Sequence, residues 1–185
     1  MSKTLNTIQI FAKIGKILSN IAFVFCIIGA AGCAIGLVCY KTFEGMMLGG
    51  IKISGVIADF GDIPMSDGTV YTSMIVGLIC CVGGIVLTSR YLSYFKHELV
   101  AGTPFTFEGA KEMFRLGLYG VFVPIITITV SDIAYAIMDI YFDNIGNLEM
   151  GDFVSVGTGI VFLGVSFLCK YGAELSEKKE AEDQV

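Results

Sequence analysis

The residues best able to do chemistry in this chain are few. In "VPIITITVSDIAYAI", residues 123–137, Asp132 places a carboxylate in one of the most apolar stretches, eight residues after Pro124. On a helix Thr129, Asp132, Ala136 and Asp139 share one face, with Tyr135 beside it. The only histidine, His97, sits between Lys96 and Glu98, where a surface position is the simplest reading. Six cysteines, Cys26, Cys33, Cys39, Cys80, Cys81 and Cys169, lie in or at the ends of apolar runs, where a thiol behaves as a small hydrophobe. They form no zinc pattern, and Asp59, Asp62 and Asp67 do not match the spacing of a calcium loop, so neither a metal nor a cofactor is expected. No G-x-S-x-G or H-E-x-x-H motif and no paired acids at one depth point to catalysis, so the chain reads as a non-enzyme.

The elements that must position these residues follow from composition. Of 185 residues 55% are hydrophobic and only 16% charged, and mean hydropathy is +0.77. That balance describes a membrane-embedded single domain. A dispersed net charge of −5 excludes the clustered basic face that nucleic acid requires. Without Trp, any interfacial aromatic belt must be built from Tyr and Phe. A hydrocarbon core of about 30 Å needs about 20 apolar residues at 1.5 Å each. Four segments qualify, 17–40, 70–87, 116–138 and 153–168, which predicts an all-α bundle of four transmembrane helices. "GAAGC" at 29–33 resembles a lipoprotein cleavage box, but apolar sequence continues through "AIGLVCY", which makes a full span.

Cations predict the orientation. Lys3, Lys13 and Lys16 precede the first segment, Arg90, Lys96, Lys111 and Arg115 lie between the second and third, and Lys170, Lys178 and Lys179 follow the fourth. The opposite side holds only Lys41 and Lys52 among seven acids, Glu44, Asp59, Asp62, Asp67, Asp143, Glu149 and Asp152. Positive charge is retained in the cytosol. The chain is therefore expected in a cell membrane, multi-pass, with both termini cytoplasmic and a Gly-rich outer loop between helices 1 and 2.

Counting from Leu116, Asp132 lies about 24 Å along a path of about 30 Å, in the outer leaflet. The outer ends of the other helices bring Lys41, Tyr71, Thr72, Ser73, Ser155 and Thr158 to similar depth. The expectation is a ligand pocket open to the outside, lined by Asp132, Thr129, Tyr135, Asp139, Tyr71, Ser73, Ser155 and Thr158, with Lys41 as countercharge. An intramembrane acid is a functional hypothesis by default, and a structural aspartate hydrogen-bonded across helices stands beside it.

Between the segments, residues 1–16 place Leu5, Ile8, Phe11 and Ile14 at helical spacing, an interfacial amphipathic helix or an extension of helix 1. "GGIKISGVIADFGD" alternates enough for a small hairpin or an irregular cap. In "RYLSYFKHELVAGTPFTFEGAKEMFRLG", Gly102 ends a helix, Pro104 forbids its continuation and Thr106 caps the next one. This elbow makes Pro104, Phe105, Thr106 and Phe107 the candidate partner-binding residues. The tail, 175–185, is charged and solvated. Pro124 removes an amide donor and crowds the carbonyl of Gly120, which predicts a kink. Small-residue strips at Gly29, Gly32 and Gly36, at Gly77, Gly83 and Gly84, at Gly117 and Gly120, and at Gly157, Gly159 and Gly164 fit close helix packing, with homo-oligomerisation through Gly32 and Gly36 as the alternative use.

"LVAGTPFTFEGAKEMFRLG", the proline-containing third segment and "CKYGAEL" together resemble an uncharacterised family of small bacterial four-helix membrane proteins, a domain of unknown function. The likeness is sharpest at Gly102, Pro104, Phe105, Thr106, Tyr171, Gly172, Ala173 and Glu174, while Gly109 stands where the family commonly has Asn. Members are often encoded beside a small helix-turn-helix regulator. The resemblance implies a membrane partner that senses something and restrains a cytosolic regulator protein, and it carries over no catalytic residue.

The function expected is therefore a sensor or regulatory partner relaying ligand or membrane state to a cytosolic protein. The alternative is a small transporter or channel component with its polar site around Asp132. No inverted repeat and no ionisable group near a midplane supports that alternative.

Overall fold

The computed structural model describes residues 3–43, 47–48, 51–52, 66–102, 104–142, 145 and 156–182, with side chains for 6–40, 66–102, 104–142, 145, 156–178 and 182. Four helices dominate: α1, Lys3–Phe43; α2, Asp67–Ala101; α3, Phe107–Tyr141; and α4, Val156–Glu182. All four are long and apolar enough to cross a membrane. Strands β1, Met47–Leu48, and β2, Ile51–Lys52, pair antiparallel with Met47 opposite Lys52 and Leu48 opposite Ile51. This ladder falls at the start of the stretch expected to alternate; residues 53–65 lie outside the described residues, as does most of the expected Gly-rich loop.

The distribution of side chains explains why a bilayer is the required solvent. Phe11, Ile17, Phe25, Val38, Phe122, Ile140, Ile160 and Phe167 are all exposed, whereas the largest fully buried side chains among the described residues are Thr72, Pro124 and Ser131. In water, exposed apolar surface on this scale is an aggregation patch. In hydrocarbon it is the natural exterior, and small or hydroxylated residues take the interior, where they let backbones approach. Three hydroxyls are satisfied locally: Thr72 Oγ1 donates to Gly68 O at 2.7 Å, Thr88 Oγ1 to Gly84 O at 2.7 Å and Ser166 Oγ to Leu163 O at 2.6 Å. Such bonds to the preceding turn hide a hydroxyl without any partner helix.

The helix ends carry their own chemistry. Ser66 Oγ accepts the Thr69 N–H at 3.1 Å, and its carbonyl accepts Val70 N–H at 3.1 Å, a hydroxyl cap that starts α2. Residues 3–16 are not a separate helix; they continue without interruption into the first span. Likewise α3 runs on through Pro124, and α4 passes Lys170 and reaches Glu182.

The chain divides into two compact units. The first comprises residues 1–24, 84–125 and 154–185, and all four helices contribute to it. Its core is Tyr94, Ala110, Met113, Leu116 and Cys169, with Tyr91, Phe95 and Phe162 packed against it. Here α3 and α4 meet backbone to backbone: a Cβ built on Gly120 would fall 2.7 Å from the Gly159 Cα. Gly120 is also the residue whose carbonyl the Pro124 ring faces four positions on, so one site serves both the proline and the neighbouring helix.

The second unit comprises residues 25–83 and 126–153. Tyr71 packs between Tyr40 and Phe142, with ring centroids at 5.4 and 6.2 Å. Tyr40 donates to Asp67 Oδ1 at 3.3 Å, and Cys81 Sγ lies over Gly29 as Cys33 Sγ lies over Gly77. The thiols are therefore packing groups, and all six are free.

Glycine substitutions separate packing from lipid exposure. Gly120→Leu should cost about 1–3 kcal/mol or more by overpacking, read as a lowered thermal midpoint of the detergent-purified chain. A Cβ on Gly32 or Gly164 meets nothing within 4 Å, so Gly32→Ala and Gly164→Ala should be neutral or stabilising by up to about 1 kcal/mol.

Candidate functional site

The described cavity of about 420 Å³ lies in the first unit, between the basic ends of α2 and α3. Its volume is in the range of small-molecule sites, roughly 300–1,000 Å³. From α2 it takes Arg90, Ser93, Tyr94 and His97; from α3 it takes Glu112, Arg115, Leu116, Leu118, Tyr119 and Phe122. Residues 90, 93, 94 and 97 follow the i, i+3, i+4, i+7 spacing of one helical face, and 112, 115, 116 and 119 repeat it. The hairpin made by the elbow sets these two stripes against each other.

Two contacts fix the register. His97 Nδ1 lies 2.8 Å from Glu112 Oε1, and the Arg90 guanidinium carbon lies 4.7 Å from the centre of the Tyr119 ring. Seven residues back along α2, from His97 to Arg90, match seven residues forward along α3, from Glu112 to Tyr119, as two antiparallel helices require. A guanidinium stacked on an aromatic face keeps its N–H edge directed outward. Among the described residues, neither Arg90 nor Arg115 is salt-bridged to a carboxylate.

Tyr94 links the cavity wall to the core. Its hydroxyl donates to Glu98 Oε2 at 3.4 Å. Glu98 is buried, only 7% exposed, and its second oxygen, Oε1, has no hydrogen-bond partner among the described residues. The Glu98 backbone carbonyl accepts Gly102 N–H at 3.0 Å. Gly102 has φ +78°, so it closes α2 with a left-handed cap that a side chain would strain.

Beyond that cap, Pro104 is buried, and Thr106 Oγ1 accepts the Gly109 N–H at 3.0 Å while its carbonyl accepts Ala110 N–H at 2.9 Å. Thr106 is thus the cap of α3. The Phe105 ring lies on Gly172 of α4, where a Cβ would come within 2.8 Å of Cδ1. The two sequence stretches around Pro104 and Gly172 therefore touch. Phe107 is exposed.

The residues expected around Asp132 fall elsewhere. Asp132, Asp139 and Thr129 are exposed on α3 and Tyr135 is half-buried. Their neighbour Ser131 is the buried one, with its Oγ 3.9 Å from Cys80 Sγ. Ser73 Oγ donates back to Val70 O at 2.9 Å, and Tyr71 is held between two rings. Thr158 belongs to the first unit, where it hydrogen-bonds Tyr91. Ser155 and the Lys41 side chain lie outside the described residues, as do Asp59 and Asp62.

Sequence reasoning counted Arg90, Lys96, Lys111 and Arg115 only as topology markers and treated His97 as a lone surface residue. The repeated i, i+3, i+4, i+7 stripes on either side of the Gly102–Thr106 break were the available signal. No known family model, curated protein or solved structure matches the chain.

The link from the cavity to the core makes a stability prediction. Tyr94→Phe removes the only donor to the buried Glu98 carboxylate among the described residues and should cost on the order of 1–3 kcal/mol. His97→Ala, which breaks a largely exposed pair, should cost less than about 1 kcal/mol. Thermal unfolding of the purified variants in one detergent compares them, and equal losses would contradict the assignment.

Proposed function

We propose that the chain is a non-enzymatic multi-pass membrane protein that reports the occupancy of the α2–α3 cavity to a cytosolic protein through the Gly102–Arg115 elbow. The observation that carries this reading is Glu98. Its side chain is held by Tyr94, a wall of the cavity, while its backbone carbonyl holds the Gly102 cap. A ligand that moves Tyr94 therefore acts on a residue that also closes the helix, and only such differential contact can shift a conformational equilibrium.

The excess of cations at this end supports a cytosolic elbow and cytosolic termini. The likeness of residues 102–106 and 171–174 to four-helix membrane proteins encoded beside helix-turn-helix regulators supports a transcription factor as the partner. The exposed Phe107 and the half-exposed edge of Phe105 offer it apolar contacts. The transporter alternative has less support, because Asp132 is exposed on α3 and the Ser73 hydroxyl is spent on its own helix.

Transcript profiling of cells expressing the chain at matched membrane levels tests the relay. The wild type should change a defined set of transcripts, and Phe105→Ala and Gly102→Val should each abolish most of that change. A response insensitive to both substitutions, or no response at all, would overturn the proposal.

A further inference from the structure

Arg90 and Arg115 occupy a particular depth. Arg90 follows the apolar stretch ending at Leu87 by three residues, and Arg115 directly precedes the stretch that begins at Leu116. Each lies within about one 5.4 Å turn of the hydrocarbon edge. The other walls, Leu116, Leu118 and Phe122, belong to the spanning part of α3, and Phe122 sits about 9 Å further along the helix than Leu116. One cavity thus has a cationic end, at Arg90 and Arg115, and an apolar end, at Leu118 and Phe122. The only described acid in its lining, Glu112, is engaged by His97.

We propose that this cavity binds an anionic phospholipid, with its phosphate between Arg90 and Arg115 and the start of an acyl chain against Leu118 and Phe122. Arg suits a phosphate because its planar fork donates two parallel N–H bonds, and stacking on Tyr119 holds the Arg90 fork in place. Ser93 lies along the same wall as a further donor. Basic pockets between transmembrane helices are an established way of holding anionic headgroups. A free phosphate would use the arginines but leave the apolar end unfilled, which is why a lipid is the better occupant. The proposal rests on the relay reading for its consequence, since it names the ligand whose presence the elbow would report.

The chain contains no Trp, so Ile125→Trp installs a unique fluorophore at an exposed position about one turn beyond Phe122 and outside the cavity lining. The full-length variant is reconstituted in phosphatidylcholine vesicles containing a small fraction of brominated phosphatidylglycerol or, in parallel, brominated phosphatidylcholine. Quenching should show about a tenfold preference for phosphatidylglycerol. Adding Arg90→Gln and Arg115→Gln should remove most of that preference, while Lys96→Gln with Lys111→Gln, an equal charge change outside the lining, should keep it. Should the arginine variant fail to fold, the lysine variant decides: a preference kept there supports the cavity, and a preference lost there overturns it.

Equal quenching by both lipids overturns the proposal, as does equal loss in the lysine variant, which would mark bulk charge attraction. Relief of quenching by millimolar inorganic phosphate as effective as that by unlabelled phosphatidylglycerol would assign the site to soluble phosphate instead. Loss of lipid preference with an intact Phe105-dependent transcript response sinks this inference alone. Lipid preference without any such response sinks the relay alone.

Discussion

Inside a hydrocarbon layer no water is present to pair with a backbone N–H or C=O, so a crossing chain must satisfy those groups within itself. That deprivation organises most of this molecule. It demands long uninterrupted helices, and α1, α2 and α3 run for 41, 35 and 35 residues. It also removes the hydrophobic contrast that would drive helices together in water, leaving close approach and local polar satisfaction to do so. The contact of Gly120 with Gly159 and the hydroxyls of Thr72, Thr88 and Ser166 turned onto their own helices are both answers to that constraint.

Where the hydrocarbon ends, the chemistry changes within one helical turn. The basic ends of α2 and α3 carry a cavity in which His97 engages Glu112 and Arg90 stacks on Tyr119. The same region holds a capped break in the helix and a buried glutamate with one oxygen that has no partner among the described residues. A buried, half-satisfied carboxylate is costly. Its retention beside the cavity and the elbow is the feature that ties ligand and relay together in the proposed function.

How much of this could be read beforehand depended on the range of the physics involved. The four spans were legible because bilayer thickness sets a length that a run of apolar residues meets or fails. The Gly102 break and the Thr106 cap were legible because caps are local, decided within four residues. The cavity was not, since its members sit on two helices and meet only through an antiparallel register that no single window contains. Helical periodicity correctly grouped Thr129, Asp132, Ala136 and Asp139 on one face, but periodicity does not say which way a face points, and here Ser131 is the buried residue while Asp132 is exposed.

The claim on which the account stands is that these helices cross a bilayer and do not lie along one or fold in water. Polarised infrared dichroism of the purified chain in oriented phospholipid bilayers measures this directly. The account predicts a dominant helical amide band whose mean axis lies within about 40° of the bilayer normal. Helices lying in the membrane plane, or a chain that remains monodisperse in detergent-free buffer and leaves the bilayers empty, would contradict it.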